Sequence, residues 1–319
     1  MNIFKAILDA FANPIFYKLT LSAATPLLFA SLGGLFSEKT GVTNIALEGI
    51  MLLGAFSGVM GSALFGSPWI GVILAMMVGV AAAALHAWAS INFQADQIVS
   101  ATAIILLAQG LTGFLLEPVF GKPGSTDIYD KIPEIKLEFL GKGSFLYEMI
   151  GSLSPFVYLA LILVVVSTLI ISTTKLGLRM RAVGENPEAA DTLGVSVYGV
   201  RWFGVLMSGL LASLGGAYLS VGELGQFTEN MTNGKGFIAL AALILGNWTP
   251  KGALFACLLF GAADAMNEQL QSNPSLAISS SVKPLFNLIP FVITLIVVAG
   301  FVGKTRAPAA SGTPYEKKG

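Results

Sequence analysis

Long apolar runs separated by short polar breaks set the pattern of this chain. A helix that crosses a bilayer needs about 20 mostly apolar residues. Runs at 19–36, 45–65, 69–89, 96–120, 155–172, 201–221, 251–267 and 285–303 meet or approach that need. A further run, 236–249, is apolar but short for a full crossing. Gly and Ser recur within the runs, as in SGVMGSALFG and SGLLASLGG, and such small residues let helix backbones approach closely in lipid. The pattern predicts an all-α protein, a polytopic transmembrane helical bundle of about 8–10 spans. Residues 1–18 read as an amphipathic interfacial segment, 19–303 as the transmembrane domain and 304–319 as a tail.

Two breaks interrupt apolar runs instead of ending them. They are 41–54, GVTNIALEGIMLLG, and 233–248, NGKGFIALAALILGNW. Each sets Asn and Gly beside an Ile-Ala-Leu run, and Pro68 and Pro250 then precede the next apolar helix. Counting spans, the first break runs outward and the second inward. That is the form of a faint inverted repeat with broken helices, which lines solute sites near the midplane of transporters. Chance similarity between two apolar runs is the competing explanation.

The polar stretch 174–201, TKLGLRMRAVGENPEAADTLGVSVYGVR, holds Arg179, Arg181 and Arg201; the remaining arginine, Arg306, is in the tail. Short loops rich in Lys and Arg stay on the cytoplasmic side, which places 174–200 and the tail inside. The long loop 121–154 carries Lys and acidic residues but no Arg, and one span separates it from the Arg stretch, so it falls outside. Nine crossings then put the N-terminus outside, against the weak opposing signal of Lys5 and Lys18. Within the stretch, 186–194 reads as a short capped helix. Asn186 suits the N-cap, Pro187 the first helical position, Glu188 and Asp191 the early turns, and Gly194 a left-handed close.

Composition narrows the function. The chain is 55% hydrophobic and 11% charged, with mean hydropathy +0.77, against about 25% charged in soluble domains. Zero net charge argues against a nucleic-acid partner. The single cysteine, Cys257, excludes an intrachain disulfide. No G-x-x-x-x-G-K-[ST] loop, Ser elbow or H-E-x-x-H motif is present. The lone His86 lacks the companions a metal or catalytic site needs. We therefore expect no enzyme, no metal and no cofactor in this chain, with transport energy coming from a partner or an ion gradient.

Three segments, GLFSEKTGVTNIALEGIMLLGAF, LRMRAVGENPEAADTLGVSVYGVR and GKGFIALAALILGNWTPKGAL, resemble the permease subunits of ABC importers. The group includes the branched-chain amino-acid and ribose permeases, and the chain looks most like the bacterial nucleoside uptake permeases. The tail TRAPAASGTPYEKKG is similar to that subgroup as well. The resemblance implies a multi-pass protein of the bacterial plasma membrane. It implies a second, homologous permease, an ATP-binding subunit that holds ATP and Mg, and an extracellular substrate-binding lipoprotein. It also makes the Arg stretch the coupling loop docked on the ATPase, through Arg179, Arg181, Gly184, Asn186, Pro187, Glu188, Ala189, Ala190 and Gly194. Ala189 and Ala190 are small enough to seat in a groove of that subunit. Glu48 departs from the sugar-permease pattern. Branched-chain amino-acid or sugar uptake, and an ion-coupled secondary transporter, are the rival readings.

The candidates for the substrate path are Asn44, Glu48, Gln97, Asn247 and Trp248. Glu48 lies in an apolar run, where an ionisable group is expensive unless it faces a cavity or a partner. It either bonds a ribose hydroxyl or base edge, or caps the broken backbone near Gly49. Asn44 and Asn247 can donate and accept, which suits an uncharged polar solute, but they suit helix capping as well. Trp248 stacks on a base or anchors at the interface. Gln97, with Asn92 and Asp96, is also placed to start the span that follows.

Overall fold

The computed structural model describes residues 10–272, 292, 300 and 305–317. The expected run 285–303, apart from those two isolated positions, and residues 1–9 of the expected interfacial segment lie outside them. The described helices are α1 (Pro14–Glu38), α2 (Leu47–Phe65), α3 (Pro68–Ala87), α4 (Gln97–Phe120) and α5 (Pro155–Thr173). They continue with α6 (Lys175–Glu185), α7 (Pro187–Thr192), α8 (Val197–Ala217), α9 (Lys235–Leu245) and α10 (Pro250–Ser272). Single π turns extend α3 over Trp88–Asn92 and α8 over Tyr218–Leu224.

Local signals account for the helix starts. Asn13 caps α1 by accepting from the Ile15 amide at 3.0 Å, with proline at the first position. The helix thus takes in 14–18, residues the hydropathy pattern assigned to the interfacial segment. Asp96 caps α4 by accepting from the Ile98 and Val99 amides at 2.9 and 3.0 Å. Six described helices are long and apolar enough to cross a membrane: α1, α2, α3 with its π turn, α4, α5, and α8 with its π turn. At 11 residues, α9 rises only about 16 Å. The last turns of α10 carry Asp264, Asn267 and Glu268, and it is less apolar than the six.

The centre of the bundle is α8, packed against α1, α2 and α3. The central segments of α2 and α8 are 83% buried, whereas that of α4 is 22% buried, so α4 lies outermost. Leu106, Phe114, Ile162 and Val165 on α4 and α5 remain exposed, as a lipid-facing surface requires. A side chain on Gly216 of α8 would run into the Met51 carbonyl of α2. Backbone cannot give way there, so Gly216→Val should separate the two helices at a cost of about 1–3 kcal/mol. An unchanged thermal midpoint in detergent would contradict that close seam.

The bundle has two distinct ends. At one end, loop 121–154 folds over the N-terminal part of α1, with a Lys18–Glu134 ion pair at 3.4 Å. Its two-residue strands β1 (Ile135–Lys136) and β2 (Ser152–Leu153) pair antiparallel. The loop also serves the π turn that ends α8 and the irregular backbone after it. Thr126 N donates to Phe227 O at 2.9 Å, Tyr129 N to Gly225 O at 2.7 Å and Ile132 N to Val221 O at 3.0 Å. Backbone away from water must find such partners, and here they let 225–234 descend unwound into the bundle. The other end gathers α6, α7, the start of α8 and the tail, and with them all four arginines.

Candidate functional site

The first break follows α1. Gly41 turns the chain with φ 85°, and the Ser37 hydroxyl donates to Val42 O at 2.7 Å. Fully buried Asn44 then spends both ends of its amide. Its nitrogen donates to Ser208 Oγ on α8 at 2.8 Å, and its oxygen accepts from the Ala46 amide at 3.1 Å. That second bond supplies the start of α2, whose own N-cap, Ala46, has no side-chain bond to give. Gln97 Oε1 accepts from Thr43 N at 2.7 Å, while its buried Nε2 has no partner among the described residues. His86, fully buried, sits 3.2 Å from Thr43 O and 3.1 Å from Ser100 Oγ. The lone histidine braces the break.

The second break meets the first at Glu48. The N-cap of α9 is Gly234, which also lacks a side chain to cap with. Glu48, in the first turn of α2, provides the acceptors instead. Its Oε1 takes the Thr232 hydroxyl at 2.7 Å and the Gly234 amide at 2.9 Å, and its Oε2 takes the Gly236 amide at 2.6 Å. The carboxylate is 5% exposed and lies at the N-termini of two helices, where both dipoles favour negative charge. From this point α2 runs toward the loop end, where Phe56 packs on Phe120 and Phe227. The other helix, α9, runs toward the Arg end, where Trp248 Nε1 donates to Glu38 Oε2. The two broken helices thus start together and part in opposite directions.

Asn247 and Trp248 close α9 in consecutive left-handed conformations, each at φ 51°. Asn tolerates that region; for a bulky residue it is an outlier that the surroundings must impose. Trp248 is buried and held by Glu38. Asn247 is exposed and accepts from the Arg306 amide of the tail at 2.9 Å. Of the five path candidates, Asn44, Gln97 and Glu48 therefore cluster around the first break and its junction with α9. Asn247 and Trp248 sit at the far end of α9. Asn44, Glu48 and Trp248 make their bonds inside this chain.

The Arg-end hairpin is α6 and α7. Asn186 Oδ1 accepts from the Ala189 amide at 3.0 Å with proline at the first position of α7, and Gly194 adopts φ 77°. Thr174 caps α6, so Arg179 and Arg181 lie on a regular helix that the sequence pattern did not separate from the loop. Both arginines and Glu188 are exposed. Gly184 packs on the Lys39 carbonyl at the end of α1. Burial lowers the Lys39 pKa there, against the opposing pull of Glu185. Ala189 points outward, but Ala190 is 2% exposed and packs into its own chain. Leu193 is 83% exposed, a large apolar side chain at the C-terminal end of α7 that the polar pattern of the stretch did not single out. Arg201, read as part of the polar stretch, is instead 1% exposed within α8.

A helical bundle of this kind, with broken helices meeting inside it, defines a membrane transport protein. The family model for the permease component of branched-chain amino acid transport systems matches residues 17–298, and the chain belongs to that family. It is 41% identical to the guanosine ABC transporter permease protein NupQ of Bacillus subtilis, over 93% of this chain and 95% of that one. It is 39% identical to the nucleoside ABC transporter permease protein NupC of Lactococcus lactis, over 99% of each. A second guanosine ABC transporter permease protein of Bacillus subtilis, NupP, is 27% identical over 92% of this chain and 85% of that one. The chain is a multi-pass permease subunit of the bacterial plasma membrane, and a transport subunit rather than an enzyme.

Proposed function

We propose that this chain forms part of the conducting path of an ATP-driven nucleoside importer. The likeness over nearly its whole length to relatives named for guanosine and nucleoside transport carries the reading. The test is uptake of labelled guanosine by cells that depend on this transporter. Excess unlabelled adenosine or cytidine should compete, whereas leucine and ribose should not; competition by leucine instead would assign an amino-acid permease.

The partners follow from the same reading. A second, homologous permease completes the path, in keeping with two guanosine permease proteins of one bacterium that both match this chain. A separate subunit binds ATP and Mg, and an extracellular lipoprotein delivers the substrate. The Arg end faces the cytosol by the positive-inside rule, and α7 docks on the ATP-binding subunit through Ala189 and Leu193. Buried Ala190 supports α7 from behind, so bulk there would test packing and not docking. Ala189→Trp or Leu193→Asp should weaken co-purification of the ATP-binding subunit about 30-fold, the loss expected for an interface anchor. Undiminished co-purification with both variants would remove the docking assignment.

A further inference from the structure

The tail 305–317 is bound to three separate parts of the Arg end. The Arg306 amide donates to Asn247 Oδ1 at the end of α9. The Ala310 amide donates to Gly184 O at 2.8 Å, one turn before α7. The Ser311 hydroxyl pairs with Thr43 Oγ1 in the first break at 3.1 Å. Beyond these, Arg201 Nη1 donates to Thr313 O at 3.0 Å, and its guanidinium lies 5.9 Å from the centre of the Tyr315 ring. Tyr315 also packs edge-on against Tyr198 at 5.8 Å. The tail and α7 share the walls of a 410 Å³ cleft that runs from Glu185 to Glu316.

Arg201 shows how this attachment is held. Among the described residues it forms no ion pair, and its Nε and Nη2 have no hydrogen-bond partner there. A buried guanidinium without a carboxylate is costly, and a ring face beside it offsets part of that cost. The tail supplies both the ring and the carbonyl. The strained turn at Asn247 and Trp248 persists only while its surroundings impose it, and the tail amide on Asn247 is one of those restraints.

We propose that 305–317 is a tie that joins the α7 docking element to both helix breaks, so that displacement of α7 is passed to the broken helices through the tail. The proposal rests on the docking reading above. When α7 moves, a segment bonded to Gly184, Thr43 and Asn247 must carry the other two along or lose its bonds. Tyr315 is a positioning residue in this scheme, acting through Arg201.

The experiment uses the complete transporter in proteoliposomes, with guanosine uptake and ATP hydrolysis measured on the same preparation. Tyr315→Ala should lower uptake about tenfold while hydrolysis stays within about twofold, the scale of a lost coupling contact. Tyr315→Phe keeps the ring over Arg201 but loses the hydroxyl that meets Asp191 of α7, and should restore most of the uptake. Parental uptake in Tyr315→Ala would overturn the tie. So would a parallel fall of uptake, hydrolysis and subunit association, which is the signature of a fold staple. Failure of the docking reading is seen separately, as retained association in Leu193→Asp.

Discussion

Glu48→Ala should leave a chain that inserts but does not assemble. The carboxylate accepts three hydrogen bonds from Thr232, Gly234 and Gly236 in a buried place. Removing it orphans three donors at once, and each unsatisfied buried donor costs about 1–3 kcal/mol. The total, about 3–9 kcal/mol for three donors, is a large share of the margin by which proteins are folded. Glu48→Gln is milder. One amide end can still accept from Thr232 and Gly234, but its NH2 must then face the Gly236 amide, donor against donor. That variant should assemble with a lower thermal midpoint, by about 1–3 kcal/mol of stability, and with impaired uptake. Size-exclusion profiles and thermal unfolding in detergent distinguish the two. An Ala variant with a parental profile would show that Glu48 is not the clasp between α2 and α9. A Gln variant that keeps full stability but loses uptake would return Glu48 to the substrate path.

What the sequence revealed depended on the range of the interaction. The caps of α7 were legible because Asn186, Pro187 and Gly194 act within one turn of their own helix. Asn13 and Pro14 carry the same signal at the start of α1, yet the hydropathy window outweighed it and set the boundary too late. The two breaks were legible as polar residues inside apolar runs, and so was their opposite direction. That the cap of α9 is a carboxylate on α2 was not, because 186 residues separate Glu48 from Gly234. Arg201 misled for a related reason. Its composition placed it with the exposed basic residues, while its burial depends on Thr313 and Tyr315 in the tail. Strands of two residues in the loop lie below any periodic signal, and their pairing comes from the fold around them.

Trp248→Phe should destabilise the chain even though an aromatic ring remains, and that outcome separates two roles for this residue. If the indole stacked on a nucleobase, a phenyl ring would keep most of the contact and the chain would remain stable. In the structure the indole N–H instead donates to Glu38, whose carboxylate is 7% exposed. Phenylalanine fills much of the space but offers no donor. The loss leaves the buried carboxylate without its indole donor, at a cost of about 1.5–3 kcal/mol. It also removes a restraint on the left-handed turn that ends α9. The second half of the test is Glu38→Leu placed on the Trp248→Phe background. Replacing both partners by apolar groups is close to neutral where replacing one is not, so the double variant should recover most of the lost stability. Thermal unfolding of the single and double variants, with guanosine uptake alongside, gives the answer. A Phe variant with parental stability, or a double variant no better than the single one, would dissolve the clasp between α1 and α9 and return Trp248 to the list of residues that can meet the substrate.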